Sequence, residues 1–268
     1  MDNRPIGVFD SGVGGVSVLR TLIELMPNEE FIYLGDTEKV PYGTKSREEI
    51  VQYSLDCAEF LKSKNVKMTV VACNTASNNA RDELREHFEN IRLVDLVKPI
   101  LAIEFEEDEI CHIGIIATEA TINNAHFRKS LEEPEDSGKV KLFKKAGPKF
   151  VELVENNEIH TDKADHIIEE YMAPLLEENI DVLVLGCTHY QFLKKKIQTF
   201  APDLHIVDPS EWAAHDTYKE LKHREMLTDK TNNKNVKFYI SKESHEFRDL
   251  ASSLLEFECS EPEIVNIH

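Results

Sequence analysis

Short apolar runs recur along the chain, and most are apolar throughout, with few polar alternations. They are "PIGVFD" (5–10), "FIYLGD" (31–36), "MTVVAC" (68–73), "RLVDLV" (92–97), "HIGIIAT" (112–118), "VKLF" (140–143), "DVLVLGC" (181–187) and "LHIVDP" (204–209). A run that is apolar at every position fits a strand covered on both faces. Between the runs the apolar positions take a helical period. Val16, Leu19, Ile23 and Met26 form one stripe, Ile167, Ile168, Tyr171 and Leu175 a second, and Ile50, Tyr53, Leu55 and Cys57 a looser third. Strands alternating with helices predict an α/β protein with mainly parallel sheets.

Two polar stretches rich in turn formers, "EEPEDSGK" (132–139) and "TDKTNNKN" (228–235), read as surface excursions. Neither is long enough to link independent domains. The clue to organisation is internal. "TVVACNTAS" (69–77) and "LVLGCTHYQ" (183–191) share one layout: an apolar run, a small residue, a cysteine, then Asn or Thr leading into a helical pattern. "GVFDSGVGG" (7–15) and "GIIATEATI" (114–122) echo each other more weakly. Two related halves, each with a cysteine at a strand's carboxyl end, are expected.

Ligands of open α/β sheets bind beyond the carboxyl ends of the strands. A cysteine there meets free backbone N–H groups and the positive end of a helix dipole, so a pKa below the ordinary thiol value is expected. Cys73 and Cys187, facing one another across a cleft, could act as a pair. One thiolate would take a proton from a carbon while the opposite thiol supplied one to the other face, inverting the centre. Cys57, Cys111 and Cys259 lack this setting and read as small buried hydrophobes.

Composition narrows the partners. A formal net charge of −19 gives no electrostatic hold on nucleic acid or anionic lipid. The start "MDNRPIG" carries no secretory signal, and no apolar stretch approaches the ~18 residues of a membrane span, so a cytosolic protein is expected. Five scattered cysteines with no C-x-x-C pair argue against a disulfide framework and a structural metal. "GVGG" fails the dinucleotide pattern because Ser17 stands where its last glycine belongs.

Five ordered motifs, "GVFDSGVGG", "YLGDTEKVPYG", "ACNTAS", "PKFVELVE" and "GCTHY", carry a resemblance over nearly the whole chain. It resembles the glutamate racemases of the cofactor-independent aspartate/glutamate racemase superfamily. That resemblance implies two pseudo-symmetric α/β domains with the active site in the cleft between them. We place their limits at 1–97 plus 211–268, carrying Cys73, and 98–210, carrying Cys187. It implies Cys73 and Cys187 as catalytic acid and base, Asp10 near the first, and His189 and Glu155 assisting the second. Ser11, Tyr42, Gly43, Asn74, Thr75 and Thr188 match substrate-binding positions, as does Thr118 in a turn near the substrate carboxylate. The implied substrate is glutamate and the implied cofactors none; D-glutamate would supply peptidoglycan. A homodimer is an option left open. Gly147, where the family often has cysteine, and Gln191, where proline often follows "THY", depart from the pattern.

The residues alone leave other readings. Asp10 and Ser11 could cap a helix beginning near Gly15, Tyr42 could pack under Pro41, and Glu155 could face water. Aspartate differs from glutamate by one methylene, which discriminates by only about 1–3 kcal/mol. A cysteine hydrolase using Cys187 with His189, or an idle regulatory binder, would belong to other classes.

Overall fold

A computed structural model describes residues 1–102, 110–231 and 235–268. Two wholly parallel sheets organise them, of six and four strands. The first half runs β1 (Ile6–Asp10), α1 (Val16–Leu25), β2 (Glu30–Gly35), α2 (Arg47–Ser63), β3 (Met68–Val71), α3 (Asn74–Asn79), α4 (Arg81–His87) and β4 (Ile91–Leu93). After α5 (Val97–Leu101) come β5 (Cys111–Ala117), α6 (Glu119–Asn123), α7 (Ala125–Ser130), α8 (Glu132–Asp136) and β6 (Val140–Ala146). Next follow α9 (Lys149–Glu155), α10 (Asp162–Leu176), β7 (Val182–Gly186), α11 (Lys194–Phe200) and β8 (His205–Val207). The chain then returns through α12 (Pro209–His223), β9 (Asn235–Ile240), α13 (Phe247–Leu255) and β10 (Glu263–Ile264).

The six-stranded sheet has the order β10-β9-β2-β1-β3-β4, and the four-stranded sheet β6-β5-β7-β8. The central strands β1, β3 and β7 are buried at every residue, as their unbroken apolar character requires. One buried cluster joins the two sheets, running from Ile6 and Val8 through Val16 and Leu19 to Phe150, Leu185 and Tyr190. A second fills the far face of the first sheet under α2, with Phe9, Leu34, Cys57 and Leu61. A third covers the far face of the second sheet, with Ile113, Ile115, Phe127 and Val184.

The two polar excursions are only partly as expected. Residues 132–136 form α8, a five-residue helix with Pro134 buried against the fold. The stretch 228–235 lies partly outside the described residues, and its last residue opens β9, which pairs with β2. No helix among the described residues is long and apolar enough to cross a membrane.

Candidate active site

Register places the cysteines. In the first sheet Phe9 lies opposite Val71, so one step past the ladder's end Ser11 and Cys73 share an edge, two residues further on each strand. In the second sheet Ala117 lies opposite Gly186, which puts Thr118 beside Cys187 in the same way. Both edges are carboxyl ends of parallel strands, the side on which open α/β sheets bind their ligands.

Cys73 is the N-cap of α3: its sulfur accepts from the Ala76 N–H at 3.5 Å and lies 3.9 Å from the Ser11 hydroxyl. Asp10, fully buried, does not cap α1, which begins without a side-chain cap; nor does Ser11. The Asp10 carboxylate instead accepts from the Gly12 N–H at 3.0 Å and, across to the other half, from the Thr188 hydroxyl at 3.1 Å. The expected lowering of the Cys73 pKa is not what the geometry produces. Burial raises it strongly, the neighbouring Asp10 raises it further, and the Ala76 N–H opposes them only weakly. A helix N-terminus favours a thiolate when water or a cation helps, but here desolvation wins. Burial also pushes the Asp10 carboxyl up, against the counteracting charge of His189.

Cys187 has a different setting. The residues after it form a 3-10 turn, Thr188–Leu193, that runs into α11, and no side-chain cap bonds to it. Its sulfur lies 3.8 Å from His189 Nδ1, and His189 Nε2 meets Glu155 Oε1 at 2.6 Å. Burial alone would lower the His189 pKa, but hydrogen bonds to Cys187 and Glu155 outweigh it and hold the imidazole well above its ordinary value. His189 and Glu155 thus form a buried pair with the short geometry of a charge-assisted hydrogen bond. Glu155, read from sequence as a residue that could face water, is tied down at the end of α9 and also accepts from the Val13 N–H at 3.1 Å.

That second bond draws the "GVGG" turn onto the other half, and the glycines make room for it. A β-carbon on Gly14 would overlap His189 Nδ1 and lie 2.6 Å from Thr188 Oγ1. Tyr33 fixes the same turn by donating to the Gly12 carbonyl at 2.8 Å. In the sequence these glycines fail the dinucleotide pattern and mark a motif of the family, with no partner indicated. Their use is close approach of one half's backbone to the other half's histidine.

The remaining residues line the same meeting place. Thr75 Oγ1 and Thr118 Oγ1 are 2.9 Å apart, joining α3 to the N-cap of α6, and Thr118 continues to Thr121 at 3.0 Å. Asn79 receives Asn124 at 3.0 Å, a second polar tie between these helices that sequence reading missed. Gly43 packs against Thr118, where a β-carbon would come 2.7 Å from Thr118 Cβ. Tyr42 is buried, but not merely under Pro41: its hydroxyl donates to Asp36 at 2.7 Å, so only its backbone is free to serve a ligand. Asn74 is buried, and its Oδ1 is an acceptor with no partner. An unpaired buried carbonyl costs roughly 1–3 kcal/mol, and an ammonium in the cleft would satisfy it. Among the described residues no three His, Cys, Asp or Glu side chains converge as a metal site.

Known proteins match this arrangement. The glutamate racemase of Lactococcus lactis subsp. cremoris is 38% identical over 256 residues, covering 95% of this chain and 93% of that protein. The crystal structure of glutamate racemase from Francisella tularensis, in complex with D-glutamate, superposes with a TM-score of 0.86 at 32% identity, covering 100% of this chain and 99% of that one. The aspartate racemase of Picrophilus torridus is distant, at 16% identity and a TM-score of 0.51, a likeness of fold alone. The Asp/Glu/Hydantoin racemase family matches residues 6–217, and the chain belongs to that family.

Proposed function

We propose that this protein racemises glutamate, interconverting its L and D forms by two-base proton transfer between Cys73 and Cys187. The observation that carries the reading is the hydrogen bond from Thr188 to Asp10, which ties the Cys187 turn to the end of β1, the strand beside the one that leads into Cys73. The sulfurs are close enough that charge on Cys187 disfavours charge on Cys73. Two thiols that repel each other's charge suit a mechanism in which one is a base while the other remains an acid.

Substrate completes the electrostatics. The α-ammonium of glutamate would bring positive charge beside Asp10 and the sulfurs, offsetting the burial that keeps Cys73 protonated. Asn74 Oδ1 would accept from that ammonium. The substrate's carboxylates would meet neutral donors: the Ser11, Thr75, Thr118 and Thr188 hydroxyls and the N–H groups of Tyr42–Gly43 and α3. His189, held cationic by Glu155, would return a proton to Cys187 or stabilise its thiolate between turnovers.

The same proposal includes the domain limits 1–97 plus 211–268 and 98–210. Strands β1–β4, β9 and β10 fall in the first and β5–β8 in the second, which supports them. It also includes a cytosolic location and supply of D-glutamate for peptidoglycan. Light scattering reads whether the chain forms the homodimer that its sequence leaves open. Circular dichroism of L-glutamate, D-glutamate and both aspartates with the enzyme tests the activity. Loss of optical signal from either glutamate enantiomer is the expected result; conversion of aspartate and not glutamate would overturn it.

A further inference from the structure

Behind the Tyr42–Gly43 turn lies a second cluster of ionisable side chains that the proposed proton transfers do not use. Asp36, fully buried just past β2, accepts from the Tyr42 hydroxyl through Oδ2 at 2.7 Å. Its Oδ1 accepts from the Ser241 hydroxyl at 2.7 Å and faces His268 Nε2 at 2.9 Å. The other ring nitrogen of His268, Nδ1, lies 3.0 Å from Asp56 Oδ2 on α2. Asp56 is held in turn by Gln52 at 2.8 Å. The His268 ring also meets Tyr53 edge-on, with centroids 5.2 Å apart, and Tyr53 packs on Tyr42 at 5.8 Å.

A histidine with a carboxylate at each nitrogen is satisfied only as the imidazolium, which donates from both. The neutral ring must turn a lone pair towards one carboxylate. What the cluster holds is the turn: Asp36 anchors Tyr42, and the next residue, Gly43, is pressed against Thr118 of the other half.

We infer that His268, clamped as a cation between Asp36 and Asp56, is a positioning residue that keeps the Tyr42–Gly43 turn seated against the substrate cleft. This rests on the reading of that turn as substrate-facing. It assigns His268 no contact with substrate.

The clamp is pH-dependent. Asp36, Asp56, Tyr53 and Glu38 face His268 directly, and beyond them, bonded to or acting on these partners, lie Lys39, Tyr42, Cys57, Ser241 and Lys242. Burial raises Tyr42 and Cys57 well above their ordinary values, so both stay protonated near neutrality. The hydrogen bond between Lys39 and Glu38 moves Glu38 down and Lys39 up, away from neutrality. Burial alone would lower His268, but Asp36 and Asp56 outweigh it and raise its pKa. For a raised histidine the clamp is complete below the ordinary histidine value and lost as pH climbs through the raised one.

Two readouts on the full-length protein test this. Amide hydrogen exchange of residues 37–46 follows the turn whether or not glutamate is turned over. Glutamate KM and kcat between pH 6 and 9 follow its effect on substrate. In wild type, exchange of this segment should accelerate beyond its intrinsic pH dependence as pH rises, and KM should rise with it. His268→Gln, which keeps a donor but no charge, should raise KM roughly tenfold at low pH, leave kcat within about twofold, and flatten the pH dependence. Asp56→Asn removes one carboxylate and should shift the KM rise to lower pH. An unchanged KM and unchanged exchange in His268→Gln, or a KM profile in Asp56→Asn that coincides with wild type, would overturn the inference. Altered exchange in a protein that never racemises glutamate would leave the clamp standing and remove the proposed function instead.

Discussion

The two cysteine turns occupy matching places in two parallel sheets yet are electrostatically opposite. Around Cys73 stand a helix N-cap, a neutral hydroxyl and a buried carboxylate; around Cys187 stand an imidazolium and its glutamate partner. Backbone topology is repeated, and proton chemistry is not. A duplicated strand-to-helix turn can place two sulfurs on one cleft, while side chains contributed by other elements decide which sulfur finds charge easy to carry. For Cys73 that help must come from the ligand, because burial and Asp10 both resist the thiolate. Cys187 instead has His189 Nδ1 at 3.8 Å, and that ring is bonded to Glu155.

The comparison can be broken most completely by removing either sulfur. Cys73→Ser and Cys187→Ser should each lower glutamate racemisation by roughly 10³-fold or more, since a serine hydroxyl is a far weaker acid–base group. Next in size is the loss of the cation: His189→Asn should lower kcat by about 10²-fold, read in a coupled or dichroism assay. Gly14→Ala forces a β-carbon onto His189 and should cost about tenfold in kcat together with several degrees in Tm. Ser11→Ala sharpens the contrast from the other side. Its contact with Cys73 is a long 3.9 Å, so a loss of only about threefold is expected. The smallest effect concerns pH. Because its pKa is raised, the His189–Glu155 pair contributes stability in full below the ordinary histidine value and loses it as pH climbs through the raised one. Wild-type Tm should thus fall on the order of a few degrees on the alkaline side, and His189→Asn should lack that fall.

The runs of β1, β3 and β7 were legible because a strand buried on both faces has almost no polar positions, and the same feature located both cysteines. Four things were hidden. The run "NVKFYI", now β9, alternates Val236, Phe238 and Ile240 with polar or amphipathic neighbours and follows a polar stretch, so it does not stand out among the unbroken apolar runs. The sign of the Cys73 shift depends on how completely the cleft is desolvated, a tertiary quantity invisible in a helix-start motif. The glycines of "GVGG" announce only that backbone must pass close to something; that the something is His189 from residues far along the chain needs the packed structure. His268 carries no local signal at all, since its partners Asp36 and Asp56 are distant in sequence.

The most direct measurement is deuterium incorporation at the α-carbon during the first turnovers in D₂O. With a sulfur on each face, product glutamate should carry one solvent deuterium while recovered substrate carries none at low conversion. Deuterium appearing in unreacted substrate at the rate of racemisation, or product retaining its original proton, would contradict two opposed bases.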